Sequence, residues 1–125
     1  FDFADWERTY RGLLDQARQA NPALKIVLCT PFAAPCGKIV EGALGEYYPL
    51  RQRILAQCCV IVERIAADYG ATLVPFHRLI ADLETRLPNG DATYWVWDGI
   101  HPTPAGQRLM ADCWIGAAAR SGVME

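Results

Sequence analysis

Serine, clustered basic residues and long apolar runs are all scarce in this chain of 125 residues. Ser121 is its single serine, and no apolar run approaches the roughly 20 residues that a membrane-spanning helix needs. The 12 basic and 14 acidic side chains are spread along the length, with a formal net charge of -2. We therefore expect neither nucleic acid nor a membrane as a partner.

The cysteines do not form a recognisable framework. There are five, an odd number, and none stands in a Cys-x-x-Cys pair. This spacing indicates neither a set of disulfides nor a zinc site. We expect reduced thiols, no bound metal and a cytoplasmic location.

The length permits at most one domain, and the 52% of hydrophobic residues is enough to form a core. The chain starts at Phe1, inside an amphipathic pattern and without an initiator Met. Together with the near absence of serine, this suggests a missing upstream segment. We therefore expect residues 1–125 to form a single, partial domain.

Apolar residues at helical spacing predict three helices, and a fourth is predicted by its start signal. The first helix has the apolar face Phe3, Trp6, Tyr10, Leu13, Leu14 and Ala17, and stops at Asn21 and Pro22. The second has Leu50, Ile54, Leu55, Cys58, Ile61, Val62, Ile65 and Tyr69. The third has Leu79, Ile80, Leu83 and Leu87, and breaks at Pro88, Asn89 and Gly90. The fourth covers residues 104–119, with Thr103 as its N-cap.

The short apolar run KIVLCT at residues 25–30 predicts a strand buried on both faces, and ATLVPF at 71–76 predicts a second strand. Residues 32–47 and 91–102 are predicted to be loops. A strand, helix and strand in this order form a parallel pair, but two strands give four amphipathic helices too little sheet to cover. We predict an α/β fold, the C-terminal half of a three-layer α/β/α sandwich with a doubly wound, flavodoxin-like sheet.

Asp98 and His101 are the candidate catalytic residues. In a loop, a carboxylate three residues before a histidine can curl back to accept from the imidazole Nδ1, which leaves Nε2 as an outward-facing base. Gly99 permits the bend, and Pro102 and Pro104 restrict the backbone that follows. The alternative is a turn histidine that only caps the last helix.

The segment DGIHPTPAGQRLMAD resembles the last sequence block of the SGNH hydrolases, or GDSL lipases and esterases, with Asp-x-x-His before Pro and the C-terminal helix. KIVLCTPF and ATLVPFHRLI are similar to the strands that precede this block. The resemblance implies an ester hydrolase in which His101 takes the proton of a serine and Asp98 orients His101. It also implies a small-molecule ester as substrate, a carbohydrate acetyl or a lipid or short-chain acyl ester, and no metal or organic cofactor.

The nucleophile of that family lies in a Gly-Asp-Ser block that this chain lacks. Ser121 stands outside such a block, and neither Asn21 nor Asn89 stands in the Gly-x-Asn-Asp block that supplies an oxyanion donor. We therefore expect the chain alone to be inactive. The alternative function is a catalytically silent fragment or binding module, which pairs with an N-terminal half or with itself through its strand edges.

Other residues have two interpretations each. Trp95 and Trp97 either line an acyl or sugar pocket, as substrate-binding residues, or serve packing. His77 is either an indirect support of the site or a helix-start residue, and residues 32–47 form either a lip over the cleft or a tolerated insertion. Cys36 is predicted to be the most exposed thiol. Small core positions are predicted for Cys29, Cys58 and Cys113.

Overall fold

The computed structural model describes residues 1–86 and 91–124. Within them, the helices are α1 Phe3–Ala20, α2 Gly42–Glu46, α3 Tyr48–Asp68, α4 Phe76–Arg86 and α5 Pro104–Arg120, and the strands are β1 Val27–Cys29 and β2 Thr72–Val74. Short 3₁₀ turns cover Gly37–Val40 and Ala92–Tyr94. Two predictions lie outside the described residues: the place of Leu87 on the third apolar face, and the helix break at Pro88, Asn89 and Gly90.

The two strands pair in parallel, as the order of elements predicted, with Val27 opposite Thr72 and Cys29 opposite Val74. Both are shorter than the predicted spans 25–30 and 71–76. A proline, Pro31 or Pro75, follows closely after each strand and cannot donate a hydrogen bond to a neighbouring strand. The described part of the sheet has only these two strands, so β1 has no second neighbour there.

One core lies between α3 and the sheet, where Ile61, Val62 and Ile65 pack on Ile26 and Leu28. The apolar face of α1 covers it, through Phe3, Trp6, Tyr10 and Leu14. Two residues assigned to these apolar faces are exposed instead, Leu13 of α1 and Leu50 of α3. Leu13 lies about 100° around the helix from Leu14, and Leu50 lies in the first turn of α3.

A second core lies beneath the loop that precedes α5. It contains Ala34, Cys36, Ile80, Leu83, Ala92 and Val96. Two predictions about residues 32–47 are therefore wrong. This stretch is not one irregular loop, because it includes a 3₁₀ turn and α2. Cys36 is not an exposed thiol, because it is only 7% exposed and behaves as a small apolar side chain. Of the three thiols predicted in the core, Cys58 is buried, and Cys29 and Cys113 are half-buried.

No helix among the described residues combines the length and apolarity that crossing a membrane requires.

Candidate active site

The start of α5 anchors the loop that carries Asp98 and His101. Thr103 is its N-cap, as predicted, because its Oγ1 accepts from the backbone N–H of Gly106 at 3.2 Å. The same hydroxyl donates to the carbonyl of Tyr94 at 2.7 Å. The backbone N–H of Thr103 donates to the carbonyl of Trp95 at 2.9 Å. These bonds tie the segment before the loop to the helix that follows it.

Residues 96–102, which we call the histidine loop, form a closed turn. Val96 and Pro102 make an antiparallel bridge at its base, and the N–H of Trp97 donates to the carbonyl of His101 at 3.2 Å. Asp98 Oδ1 accepts from two backbone N–H groups, those of Ile100 at 3.0 Å and His101 at 2.7 Å. This side-chain turn is possible because the next residue, Gly99, has a φ of 90°.

The second carboxylate oxygen of Asp98 contacts the imidazole. Oδ2 lies 2.7 Å from His101 Nδ1. The hydrogen bonds from His101, first from its backbone and then from its ring, lower the pKa of Asp98 to about 2. Asp98 is therefore ionised near neutral pH and can only accept, which assigns the shared proton to Nδ1. Nε2 is then the acceptor nitrogen of neutral His101.

The His101 side chain is far more exposed than the Asp98 side chain, as expected for a base that meets a substrate and a carboxylate that only orients it. The Asp98 side chain is 14% exposed and the His101 side chain 68%. Among the described residues, Asp98 is the sole side chain hydrogen-bonded to the His101 ring. Nε2 is thus open to an incoming hydroxyl group, while the orienting carboxylate is largely shielded from water.

The two candidate tryptophans lie in different environments. Trp97 stacks on His101, with ring centroids 6.0 Å apart and ring planes at 25°, and the residue is 54% exposed. Trp95 packs against the second core, and Tyr94 meets it edge to face. Of the two, Trp97 is the one in contact with the imidazole.

His77 does not join His101. It lies in the first turn of α4, where its backbone N–H donates to Thr30 Oγ1 at 3.2 Å and its Nδ1 lies 2.8 Å from the same oxygen. Its Nε2 is 3.8 Å from a carboxylate oxygen of Glu63, and burial lowers its pKa. His77 thus connects the carboxyl ends of β1 and β2. Its partner Thr30 is a buried polar residue, and no sequence pattern predicted this contact.

Ser121 lies away from the candidate site. Its Oγ accepts from Thr72 Oγ1 at 2.7 Å and donates to the carbonyl of Ala118 at 3.1 Å. Thr72 begins β2, whereas Ile100 of the histidine loop lines a hollow with residues that follow the carboxyl ends of the strands. The serine and His101 are therefore at opposite ends of the sheet.

That hollow is open, mostly apolar and about 500 Å³ in volume. It lies between α1 and α5 at the end of β1, and its lining includes Trp6, Tyr10, Thr30, Ile100 and Met110. It therefore borders the histidine loop directly.

Sequence reasoning missed the support beneath the histidine loop. Ala34 donates its backbone N–H to the carbonyl of Gly99, and the Cys36 thiol donates to the carbonyl of Val96, both at 2.9 Å. These partners are more than 50 residues apart in sequence, and neither helical nor strand periodicity connects them.

The chain thus combines a parallel α/β fold with an aspartate-supported histidine in the loop before its last helix. The family model of the GDSL-like lipase/acylhydrolase family matches residues 1–109, and the chain belongs to this family. The resemblance and the fold class expected from the sequence are therefore confirmed. The family is named for lipases and acylhydrolases.

A crystal structure of a protein from Parabacteroides merdae, classed as a GDSL-like lipase, is similar to this chain. The sequences are 28% identical, the TM-score is 0.76, and the match covers 90% of this chain and 48% of the other. The chain thus spans about half the length of that protein. No curated protein sequence matches the chain.

Proposed function

We propose that this chain supplies the general base, His101, and its orienting carboxylate, Asp98, to an ester hydrolase that works by acyl transfer. The observation that carries the proposal is the 2.7 Å contact between His101 Nδ1 and Asp98 Oδ2, with the imidazole otherwise exposed. A carboxylate held on Nδ1 fixes the tautomer in which Nε2 accepts a proton.

In the proposed reaction, His101 Nε2 takes the proton of a serine hydroxyl as the serine oxygen attacks the ester carbonyl. The ionised Asp98 stabilises the imidazolium that forms. Collapse of the tetrahedral intermediate breaks the bond to the alcohol, and His101 returns the proton to that alcohol. Water then attacks the acyl-serine, His101 again accepts the proton and returns it to the serine oxygen, and the acid is released.

The serine is proposed to come from a segment outside these 125 residues. Ser121 is hydrogen-bonded at the far end of the sheet, and β1 has no second neighbour among the described residues. A strand beside β1 would fill the apolar hollow that borders the histidine loop. We therefore propose that an N-terminal half of the protein packs there and that the chain alone is inactive. The alternative occupant is a second copy of this chain.

The proposed substrate is a small-molecule ester. Trp97 is an about half-exposed aromatic residue beside the imidazole, which suits stacking on a sugar ring or packing on an acyl chain. Both acetylated carbohydrates and lipid or short-chain acyl esters meet this requirement.

The test is hydrolysis of p-nitrophenyl acetate by the complete protein. Asp98→Asn removes the charge but keeps the size of the side chain, and we expect kcat to fall by about 10⁴-fold because the tautomer of His101 is no longer fixed. Asp91→Asn is the matched control, since Asp91 is an exposed carboxylate that caps the turn at Ala92–Tyr94. Equal activity of the two variants would contradict the proposed role of Asp98.

A further inference from the structure

We propose that Cys36 and Gly37 are positioning residues for the Asp98–His101 pair, an inference that rests on the function proposed above. They belong to residues 34–39, which we call the supporting segment. It packs against the underside of the histidine loop.

Two hydrogen bonds join the supporting segment to the loop. The backbone N–H of Ala34 donates to the carbonyl of Gly99, and the Cys36 thiol donates to the carbonyl of Val96, each at 2.9 Å. Val96 is at the base of the loop and Gly99 is at its bend, so the two bonds fix the loop on both sides of Asp98. Cys36, Val96 and Gly99 are all buried, which shields these bonds from water.

The backbones of Gly37 and Asp98 are in close contact. A Cβ on Gly37 would lie 2.6 Å from Asp98 Cα and 2.8 Å from the carbonyl oxygen of Trp97. The reverse contact is equally close, since a Cβ on Gly99 would lie 2.6 Å from the carbonyl oxygen of Cys36 and would overlap Ile39. Each glycine thus leaves the space that the other segment occupies.

The contact of Gly37 is with Asp98, the residue that orients the His101 imidazole. Asp98 must present one oxygen to two backbone N–H groups and the other to the imidazole Nδ1. A displacement of its Cα would lengthen bonds that are now 2.7–3.0 Å long, and charge-assisted hydrogen bonds weaken steeply as they lengthen and bend. The supporting segment therefore sets the geometry of the pair without touching a substrate.

The structure offers a matched pair of glycine variants. Gly37 and Gly42 both have positive φ, at 62° and 50°, so an alanine is strained at either position. Only at Gly37 would the added methyl group meet the histidine loop, because a Cβ on Gly42 has no atom within 4 Å. Gly42→Ala is therefore the control for backbone strain in a Gly37→Ala variant.

The readout is NMR on the complete protein, with carboxyl ¹³C shifts reporting the pKa of Asp98 and ring ¹⁵N shifts reporting the tautomer of His101. In Gly37→Ala we expect the pKa of Asp98 to rise from about 2 by roughly one unit, which is a tenfold change in proton affinity, and the tautomers to become mixed. Gly42→Ala should leave both unchanged. A folded Gly37→Ala variant with the original pKa and tautomer would overturn the inference.

If Gly37→Ala does not give the spectrum of a folded protein, variants of Cys36 test the positioning role instead. Cys36→Ala removes the donor to Val96, and we expect a smaller rise in the pKa of Asp98, whereas Cys36→Ser keeps a donor and should stay closer to the original value. No difference between Cys36→Ala and the unchanged chain would overturn the inference. These readouts do not depend on catalysis, so a complete protein without esterase activity would refute the proposed function and leave this test intact.

In the complete enzyme, Gly37→Ala should lower kcat with little change in KM, since the supporting segment acts on the pair and not on the ester. An increase in KM alone would contradict a positioning role.

Discussion

Replacement of Thr103 tests whether the start of α5 holds the histidine loop in place. The Thr103 hydroxyl accepts from the N–H of Gly106 and donates to the carbonyl of Tyr94. Thr103→Ala removes both bonds. Loss of an N-cap costs about 1 kcal/mol, and loss of the second bond adds up to about 1 kcal/mol, because its acceptor is solvent-accessible and regains water. We expect the free energy of unfolding to fall by about 1–2 kcal/mol, which corresponds to a decrease in Tm of roughly 3–8 °C.

Urea unfolding followed by circular dichroism measures this change. Thr103→Ser is the matched control, since it keeps the hydroxyl group and loses only a methyl group. We expect it to retain most of the stability and both variants to keep the original dependence on urea concentration. The reasoning is refuted if Thr103→Ala is as stable as the unchanged chain, or if the serine variant is equally destabilised.

Two further predictions concern stability. Ile65 is fully buried against the sheet, so Ile65→Ala should lower the free energy of unfolding by about 2–5 kcal/mol. Leu13 is on the exposed side of α1, so Leu13→Ala should lower it by about 0.5 kcal/mol or less. Similar urea midpoints for the two variants would contradict the assigned faces. The pKa of Asp98 is lowered from 3.8 to about 2 in the folded chain, so its ionised form stabilises the fold above about pH 4, and this contribution is lost as pH falls towards 2. Asp98→Asn should therefore weaken the loss of stability between about pH 4 and pH 2, as measured by urea unfolding; an unchanged pH dependence would show that the hydrogen bonds to Asp98 do not favour folding.

Local features of this fold follow from the sequence because their partners are close along the chain. Asp98 and His101 are three residues apart, with a glycine between them, so their hydrogen bond is a property of one turn. The N-cap of α5 is local in the same way, as Thr103 bonds to Gly106. The parallel pairing of the strands follows from their order, because two strands joined by a helix align in parallel.

The features that were missed depend on packing between distant segments. Cys36 is in a stretch rich in glycine, alanine and proline, and its burial results from contact with Val96, 60 residues away. The position of Leu13 depends on which side of α1 meets α3, and helical spacing alone leaves the border of an apolar face undefined. Thr30 is a polar residue inside an apolar run, and its contact with His77 forms only when the ends of the two strands meet.

The central claim is that His101 is the base of an ester hydrolase, and the most direct measurement compares turnover of p-nitrophenyl acetate by the complete protein in two histidine variants. His101→Ala should lower kcat by at least about 10⁴-fold with little change in folding. His77→Ala removes a half-buried imidazole that does not contact His101, and kcat should remain within about tenfold of the original value. Near-normal turnover by His101→Ala, or an equal loss in both variants, would contradict the role assigned to His101.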